Sequence, residues 1–322
     1  MKSVENEREI TELNGILDLS FDKYKAGCYS EVYEAAESIV ARILESEIDQ
    51  PELLAEASIL IGDSIIMEHG ELISLQNGSE SLAWEERVKS AFSRALEVAP
   101  SNELRFEAVR GLGDLGIVAG RFGEGIEVYG RALELADDVD QKYLALTRLG
   151  IAEANKERCP EAINHLKEAL ELLPELEGEV MNEGLAKTYY MLGYSYEVID
   201  QTGSSIDSYE KAIELLSPEE SANAYSLLEM INFDLGHIYL RDSRYQEAEH
   251  HFSEALLYME KAGESMAGRP MMLGETYFWM GEFDKALTYL KKAQEMDPSD
   301  AESQRIVQDI EICRHRTGEA EE

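Results

Sequence analysis

Apolar residues recur at i, i+3 and i+4 along most of the chain, the spacing of helices that bury one face. Inside these segments a Leu-Gly pair returns at Leu112-Gly113, Leu149-Gly150, Leu192-Gly193, Leu235-Gly236 and Leu273-Gly274, with Ile61-Gly62 upstream. Three residues after the glycine the later copies carry Tyr196, Tyr239 or Tyr277. Twelve after it stands a small residue, Gly125, Ala162, Ser205, Ala248 or Ala286. Sixteen after it stands a large one, Tyr129, Leu166, Tyr209, Phe252 or Leu290, and nineteen after it always alanine, Ala132, Ala169, Ala212, Ala255 or Ala293. Each unit is therefore a helix A carrying the glycine and a helix B carrying the other positions. Glycine and alanine sit where the two helices cross, because a side chain there would hold the backbones apart. One such pair cannot bury its apolar face alone, so neighbours must stack.

Turn chemistry agrees. Pro174, Pro218 and Pro298 follow the later copies, and Pro100 closes the copy that runs through Phe92 and Ala95. Ser217-Pro218-Glu219-Glu220 and Ser299-Asp300-Ala301-Glu302 read as capping boxes, each opening a helix. Lys25-Ala26-Gly27-Cys28-Tyr29 reads as the turn of an eroded first copy. The stretch from Glu219 to Asp242 holds no Pro and only one Gly, Gly236, which predicts an extended helix A. Gly268-Arg269-Pro270 predicts a break followed by a helix A that starts at Pro270.

These spacings resemble the tetratricopeptide repeat, whose pattern is W-x2-L-G-x2-Y, then A-x3-F, then A and P. Five copies hold them, and the Trp position is taken by Val109, Leu146, Tyr189, Asn232 and Pro270. The resemblance implies an all-α fold, an α-solenoid of stacked antiparallel helix pairs forming a TPR superhelix with a C-terminal capping helix. The expected organisation is a degenerate helical repeat over 1–49, an array of about six repeats over 50–298, and a capping helix with a short tail over 299–322. Successive glycines lie 51, 37, 43, 43 and 38 residues apart, so the copies are longer than the minimal unit. Similar lengthening occurs in the repeats of kinesin light chain. The longest step contains His69-Gly70-Glu71 and Gln76-Asn77-Gly78-Ser79, which predicts an inserted surface loop over 68–83.

In the family, helix A residues flanking the Leu-Gly pair line a groove that holds an extended peptide or a partner helix. Carried over, the positions three before and one after each glycine are Ile59 and Asp63, Arg110 and Asp114, Thr147 and Ile151, Tyr190 and Tyr194, Phe233 and His237, and Met271 and Glu275. Four and five after the glycine add Glu197, Arg241, Phe278 and Trp279. The candidate partner-binding residues are Arg110, Tyr190, Tyr194, Phe233, His237, Arg241, Phe278 and Trp279, since aromatic and Arg side chains dominate interface energetics. Tyr189, Tyr196 and Tyr239 are expected in the core, and Tyr190, Tyr194, Phe233 and Trp279 on the open face. The two-carboxylate clamp of chaperone-binding members is not supplied, because Arg110 is followed by Asp114 and Thr147 by Ile151. An acidic groove calls for a peptide with Lys or Arg beside an apolar anchor.

Charge narrows the partner further. The chain of 322 residues has 29 Lys and Arg against 66 Asp and Glu, a formal net charge of −37. The excess is even, with −13, −10 and −14 over residues 1–100, 101–200 and 201–322. Such a field repels phosphate backbones, so nucleic acid is not an expected partner. A basic protein partner or a salty cytoplasm would each suit it, as would a merely soluble surface. No uncharged stretch is long enough to span a bilayer, the first residues hold no apolar signal segment, and Cys28, Cys159 and Cys313 are too few and scattered for a disulfide scaffold. A cytoplasmic location is expected.

No phosphate-binding, dinucleotide, zinc or nucleophile-elbow motif occurs, so no catalytic residue, cofactor or metal is expected. Gly120-Arg121-Phe122-Gly123-Glu124-Gly125 falls on the turn between helix A and helix B, and the adjacent His250 and His251 point in different directions along a helix. The sequence thus predicts a non-enzymatic scaffold or adaptor that binds a protein or peptide. The alternatives are a self-associating structural subunit and an accessory regulator of an enzyme complex.

Overall fold

The computed structural model describes residues 2–46, 48–74, 78–176, 182–216, 222–263, 266–296 and 299–317. The chain divides into two compact units, Met1–Glu179 and Val180–Glu322. Described residues outside turns are helical, and none forms a strand.

The first unit holds α1 (Lys2–Lys25), α2 (Tyr29–Ser46), α3 (Pro51–Ser74), α4 (Gly78–Val98), α5 (Asn102–Val118), α6 (Phe122–Leu135), α7 (Val139–Asn155) and α8 (Cys159–Leu172). The second holds α9 (Asn182–Val198), α10 (Thr202–Leu215), α11 (Ala222–Arg241), α12 (Tyr245–Ala262), α13 (Gly268–Met280), α14 (Phe283–Glu295) and α15 (Asp300–Thr317). Within each unit every helix packs mainly on the one before and the one after it, the single-file order of an α-solenoid.

The crossing of helix A and helix B is as tight as the spacing predicts. A Cβ built on Gly113 would lie 2.6 Å from the Tyr129 ring, and one on Gly193 would lie 2.6 Å from Tyr209. Gly150 against Leu166, Gly236 against Phe252 and Gly274 against Leu290 repeat the contact at 2.6, 2.6 and 2.8 Å. The small residues at plus twelve and the alanines at plus nineteen are buried in every copy. Gly62 meets Phe92 at 2.5 Å, thirty residues on, because both helices of that pair are lengthened.

The turn from A to B is equally regular. The residue seven after the glycine is left-handed in each copy, at φ 67° for Gly120, 59° for Glu157, 58° for Asp200, 58° for Ser243 and 78° for Gly281. The next N–H then donates back to the carbonyl five residues earlier, as in Arg121 to Gly116 (2.8 Å) and Arg158 to Glu153 (2.9 Å). That is the helix-ending loop that glycine adopts without strain and other residues adopt at a cost.

Two sequence expectations change. Among the described residues of 68–83 the expected inserted loop does not form, because 68–74 complete α3 and 78–83 begin α4, while 75–77 lie outside the described residues. His69 stacks on Trp84 at 3.9 Å, and Ile73 and Ser81 are buried, so the extra residues lengthen both helices and pack their added turns. At the ends α2 packs on α3 and α15 on α14. Helix α13 starts at Gly268, two residues before Pro270, after α12 ends in a left-handed Gly263. The Ser299 box forms, with Ser299 N–H donating to Glu302 Oε2 at 2.8 Å, whereas the Ser217 box lies outside the described residues. The closing helix α15 buries Ile306, Ile310 and Cys313 and leaves Val307 and Ile312 exposed.

Candidate functional site

In the first unit the A-helix face is occupied by an ionic cluster. Arg110 on α5 donates from Nη2 to both oxygens of Asp63 on α3, at 2.9 and 3.2 Å. Its Nε donates to Glu107 at 2.7 Å and its Nη1 to Asp114 at 2.6 Å. The Tyr129 hydroxyl, fixed by the ring's contact with Gly113, donates to Asp114 Oδ1 at 2.6 Å. Burial pushes the Asp63 carboxyl up to about 6, although the Arg110 charge pulls the other way. Burial, with the charge of Asp63, also pushes the Tyr24 hydroxyl up to about 12. Ile59, Thr147 and Ile151 are buried. Arg110 is therefore committed to three carboxylates of its own chain, with its side chain 15% exposed. Its donors are thus engaged within the first unit, at a position where a partner contact was expected.

The second unit builds its face differently. Tyr190, expected on the open face, is 9% exposed, and its hydroxyl lies beside Asp234 of the next helix A. The Tyr209 hydroxyl donates toward Glu197 Oε2 at 3.1 Å and lies 3.4 Å from Asp234 Oδ2. Burial, reinforced by the charge of Glu197, pushes Asp234 up to about 7, and burial also raises Glu197. Tyr189 and Tyr196, expected in the core, are half-buried, while Tyr239 is buried. The register of the two adjacent tyrosines is thus the reverse of expectation, because the Tyr190 side is the one that the next helix A covers.

Phe233 is half-buried and roofed. The Arg269 guanidinium lies 3.8 Å above its ring and bonds Glu229, which is buried. The His237 imidazole stands edge-on to Phe233 at 4.5 Å, and burial, followed by the charges of Arg269 and Arg305, pushes its pKa down. Glu275 on α13 is buried and accepts a bond from Arg305 of α15, and burial pushes it up to about 7 against the pull of that arginine. Tyr194 is half-buried.

Two candidates face solvent. Arg241 is exposed, with one Nη2 bond to Thr202 at 3.4 Å. Trp279 is 61% exposed, edge-on to Phe278 at 5.6 Å, and Phe278 in turn packs on Phe283 at 5.7 Å. Both occupy the position five after the glycine, and Val198 holds that same position on α9 with 45% of its surface exposed. In the first unit Met67 holds it and is also exposed. Within the second unit, the exposed large side chains at this register position were readable only by extending the plus-five position to all three copies; in the first unit Val118 is half-buried at that position and Asn155 is exposed. Among the described residues, no group of three or more His, Cys, Asp or Glu side chains is arranged to hold a metal ion. No described helix is long and apolar enough to cross a membrane.

Comparison with known proteins bears on the fold. The tetratricopeptide-repeat family model matches residues 186–215 and, in a second version, 271–300. No curated protein matches the chain. Among solved structures, the apo form of RapI superposes with a TM-score of 0.67 at 15% identity, covering 95% of this chain and 86% of that one. The apo form of the quorum sensor NprR from B. thuringiensis gives 0.64 at 16% identity, covering 97% and 83%. A Rap protein complexed with competence and sporulation factor gives 0.61 at 16%, covering 95% and 87%. Repeated glycine crossings, a repeated left-handed turn and two matched segments together identify the chain as a tetratricopeptide-repeat protein.

Proposed function

We propose that this protein is a non-catalytic scaffold or adaptor that captures a protein or peptide segment on the A-helix face of its second unit. The observation that carries the reading is the exposed row Val198, Arg241 and Trp279, one residue from each of three consecutive A helices at one register position. Exposed Trp beside apolar neighbours is the side-chain type that most often anchors an interface. Phe278 and the half-buried Tyr194, Phe233 and His237 border the row. Arg110 is left out because its donors are already used within the first unit.

A preformed face reduces the ordering cost of taking up an extended segment. The partner is a segment with an apolar anchor for Trp279, flanked by Lys or Arg that the −37 charge attracts. Nucleic acid is disfavoured by the same field. A soluble, cytoplasmic setting suits Cys28, Cys159 and Cys313, which form no disulfide among the described residues. Two solved structures of similar fold hold a peptide or factor, a Rap protein with competence and sporulation factor and NprR with its cognate peptide NprX. They support a peptide-binding role here by fold alone.

The test is affinity capture from the native cell on the immobilised chain, run beside Trp279→Ala. A partner lost with Trp279→Ala supports the reading, and a partner retained equally places binding elsewhere. Self-association is the second reading, favoured by Leu19, Phe21 and Leu44, which are exposed on the first hairpin. Light scattering at two concentrations and two salt levels separates it, since a closed oligomer keeps its mass.

A further inference from the structure

Tyr209 places one hydroxyl between two carboxyl groups on different helices, Glu197 of α9 at 3.1 Å and Asp234 of α11 at 3.4 Å. The hydroxyl cannot swing away, because its ring is wedged against Gly193 and packs 5.8 Å from Tyr190. A phenol carries a single proton and can also accept. With both carboxyls ionised, that proton serves only one of them, and although Tyr190 also bonds Asp234, the two like charges still face each other across the phenol in a shielded place. With one carboxyl protonated, the phenol accepts from it and donates to the other, and both short contacts become hydrogen bonds.

The first unit solves the equivalent problem with a cation. There Tyr129, at the same register position as Tyr209, meets Asp114, and Arg110 bonds that carboxylate directly at 2.6 Å. In the second unit the nearby guanidiniums are engaged elsewhere, Arg241 with Thr202 and Arg269 with Glu229. We propose that the Glu197–Tyr209–Asp234 bridge is a proton-operated latch that closes α11 onto the α9–α10 hairpin and so regulates the face assigned above. The regulatory part rests on that assignment, whereas the latch itself does not.

The groups facing the pair are consistent with one stored proton. From α9 come Tyr190, beside Asp234, and Tyr194, next to Tyr190. From α10 comes Tyr209, from α11 Glu229 and Arg241, and from α13 Arg269. At Asp234, burial and the Glu197 charge outweigh the hydrogen bond from Tyr190, the Arg269 charge and the hydrogen bond from Tyr209, and hold its carboxyl near neutrality, at about 7.

Hydrogen–deuterium exchange of the full chain without any ligand tests the latch. In the parent, protection of the α9 and α11 amides, corrected for chemical exchange, should fall as pH rises from about 4 towards 7, by up to about tenfold per pH unit, the limit for one linked proton, and level off above that. Asp234→Asn supplies a permanent N–H donor and should remove that dependence. Glu197→Gln, which removes the repulsion from the other side, should do the same and serves if Asp234→Asn does not fold. A parent with no pH-linked loss, or variants that lose protection as the parent does, would overturn the proposal. Because no peptide is present, either result leaves the capture reading to its own test.

Discussion

Arg110 on α5 and Asp63 on α3 form a two-pronged ion pair between consecutive A helices, at 2.9 and 3.2 Å. The same guanidinium holds Glu107 and Asp114. Removing it strands three partly or fully desolvated carboxylates. Arg110→Ala should therefore destabilise the first unit by roughly 3 kcal/mol, the scale for breaking a buried pair from one side. Arg110→Lys should recover little, because an ammonium cannot span all three acceptors. Urea unfolding followed by circular dichroism measures both, and a loss below about 1 kcal/mol would return Arg110 to the surface-contact class.

The glycine crossings make a paired prediction. A Cβ on Gly193 would meet Tyr209 at 2.6 Å, whereas one on Gly130, in α6, would meet nothing within 4 Å. Gly193→Ala should cost about 1–3 kcal/mol through overpacking. Gly130→Ala should stabilise by about 0.5–1 kcal/mol through helix propensity. Thermal midpoints that move the same way in both variants would contradict the close-approach account.

The left-handed turn positions supply a third. Glu157, at φ 59°, holds a conformation that costs a side-chain-bearing residue about 1 kcal/mol relative to glycine. Glu157→Gly should raise the melting temperature by a few degrees, and Gly281→Ala, at φ 78°, should lower it by a similar amount. Differential scanning calorimetry decides, and a drop for Glu157→Gly would mean that the turn is held by contacts of the Glu157 side chain.

How legible this fold was depends on which residues carried the signal. Gly113, Gly150, Gly193, Gly236 and Gly274 and their partners sixteen residues on are forced by sterics, and that constraint shows directly in residue type. The lengthened α3 and α4 were misread because Gly70 and Gly78 look like loop punctuation; Gly70 lies inside α3 and Gly78 opens α4. The site was less legible. Asp63, Asp234, Glu229 and Glu275 are shielded and paired, yet in a chain with 66 acidic residues they cannot be told from the solvated ones. Tyr189 and Tyr190 differ only in which side the next helix covers, and that depends on packing rather than on either residue. Trp279 was legible as an aromatic but not as the most exposed of its group.

These shielded carboxylates also set the pH response. Asp234 and Glu275 are pushed up to about 7 and Asp63 to about 6, in each case chiefly by burial. A carboxyl whose folded pKa is raised keeps its full stabilisation below its unfolded value and loses it as pH rises through the folded one. Stability should therefore fall as pH rises from about 4 to about 7 and level off above that, and Asp234→Asn and Glu275→Gln should each flatten the decline. Urea midpoints in high salt, where general charge repulsion is screened, isolate the effect. A midpoint that rises over this range would contradict it.

Selection of a random-peptide display library on the full chain, compared with the same selection on Trp279→Ala, tests most directly whether the second unit presents a capture face. The account predicts enrichment of apolar residues flanked by Lys or Arg, lost with Trp279→Ala while the thermal midpoint stays put. No enrichment, or the same enrichment on both proteins, would contradict it.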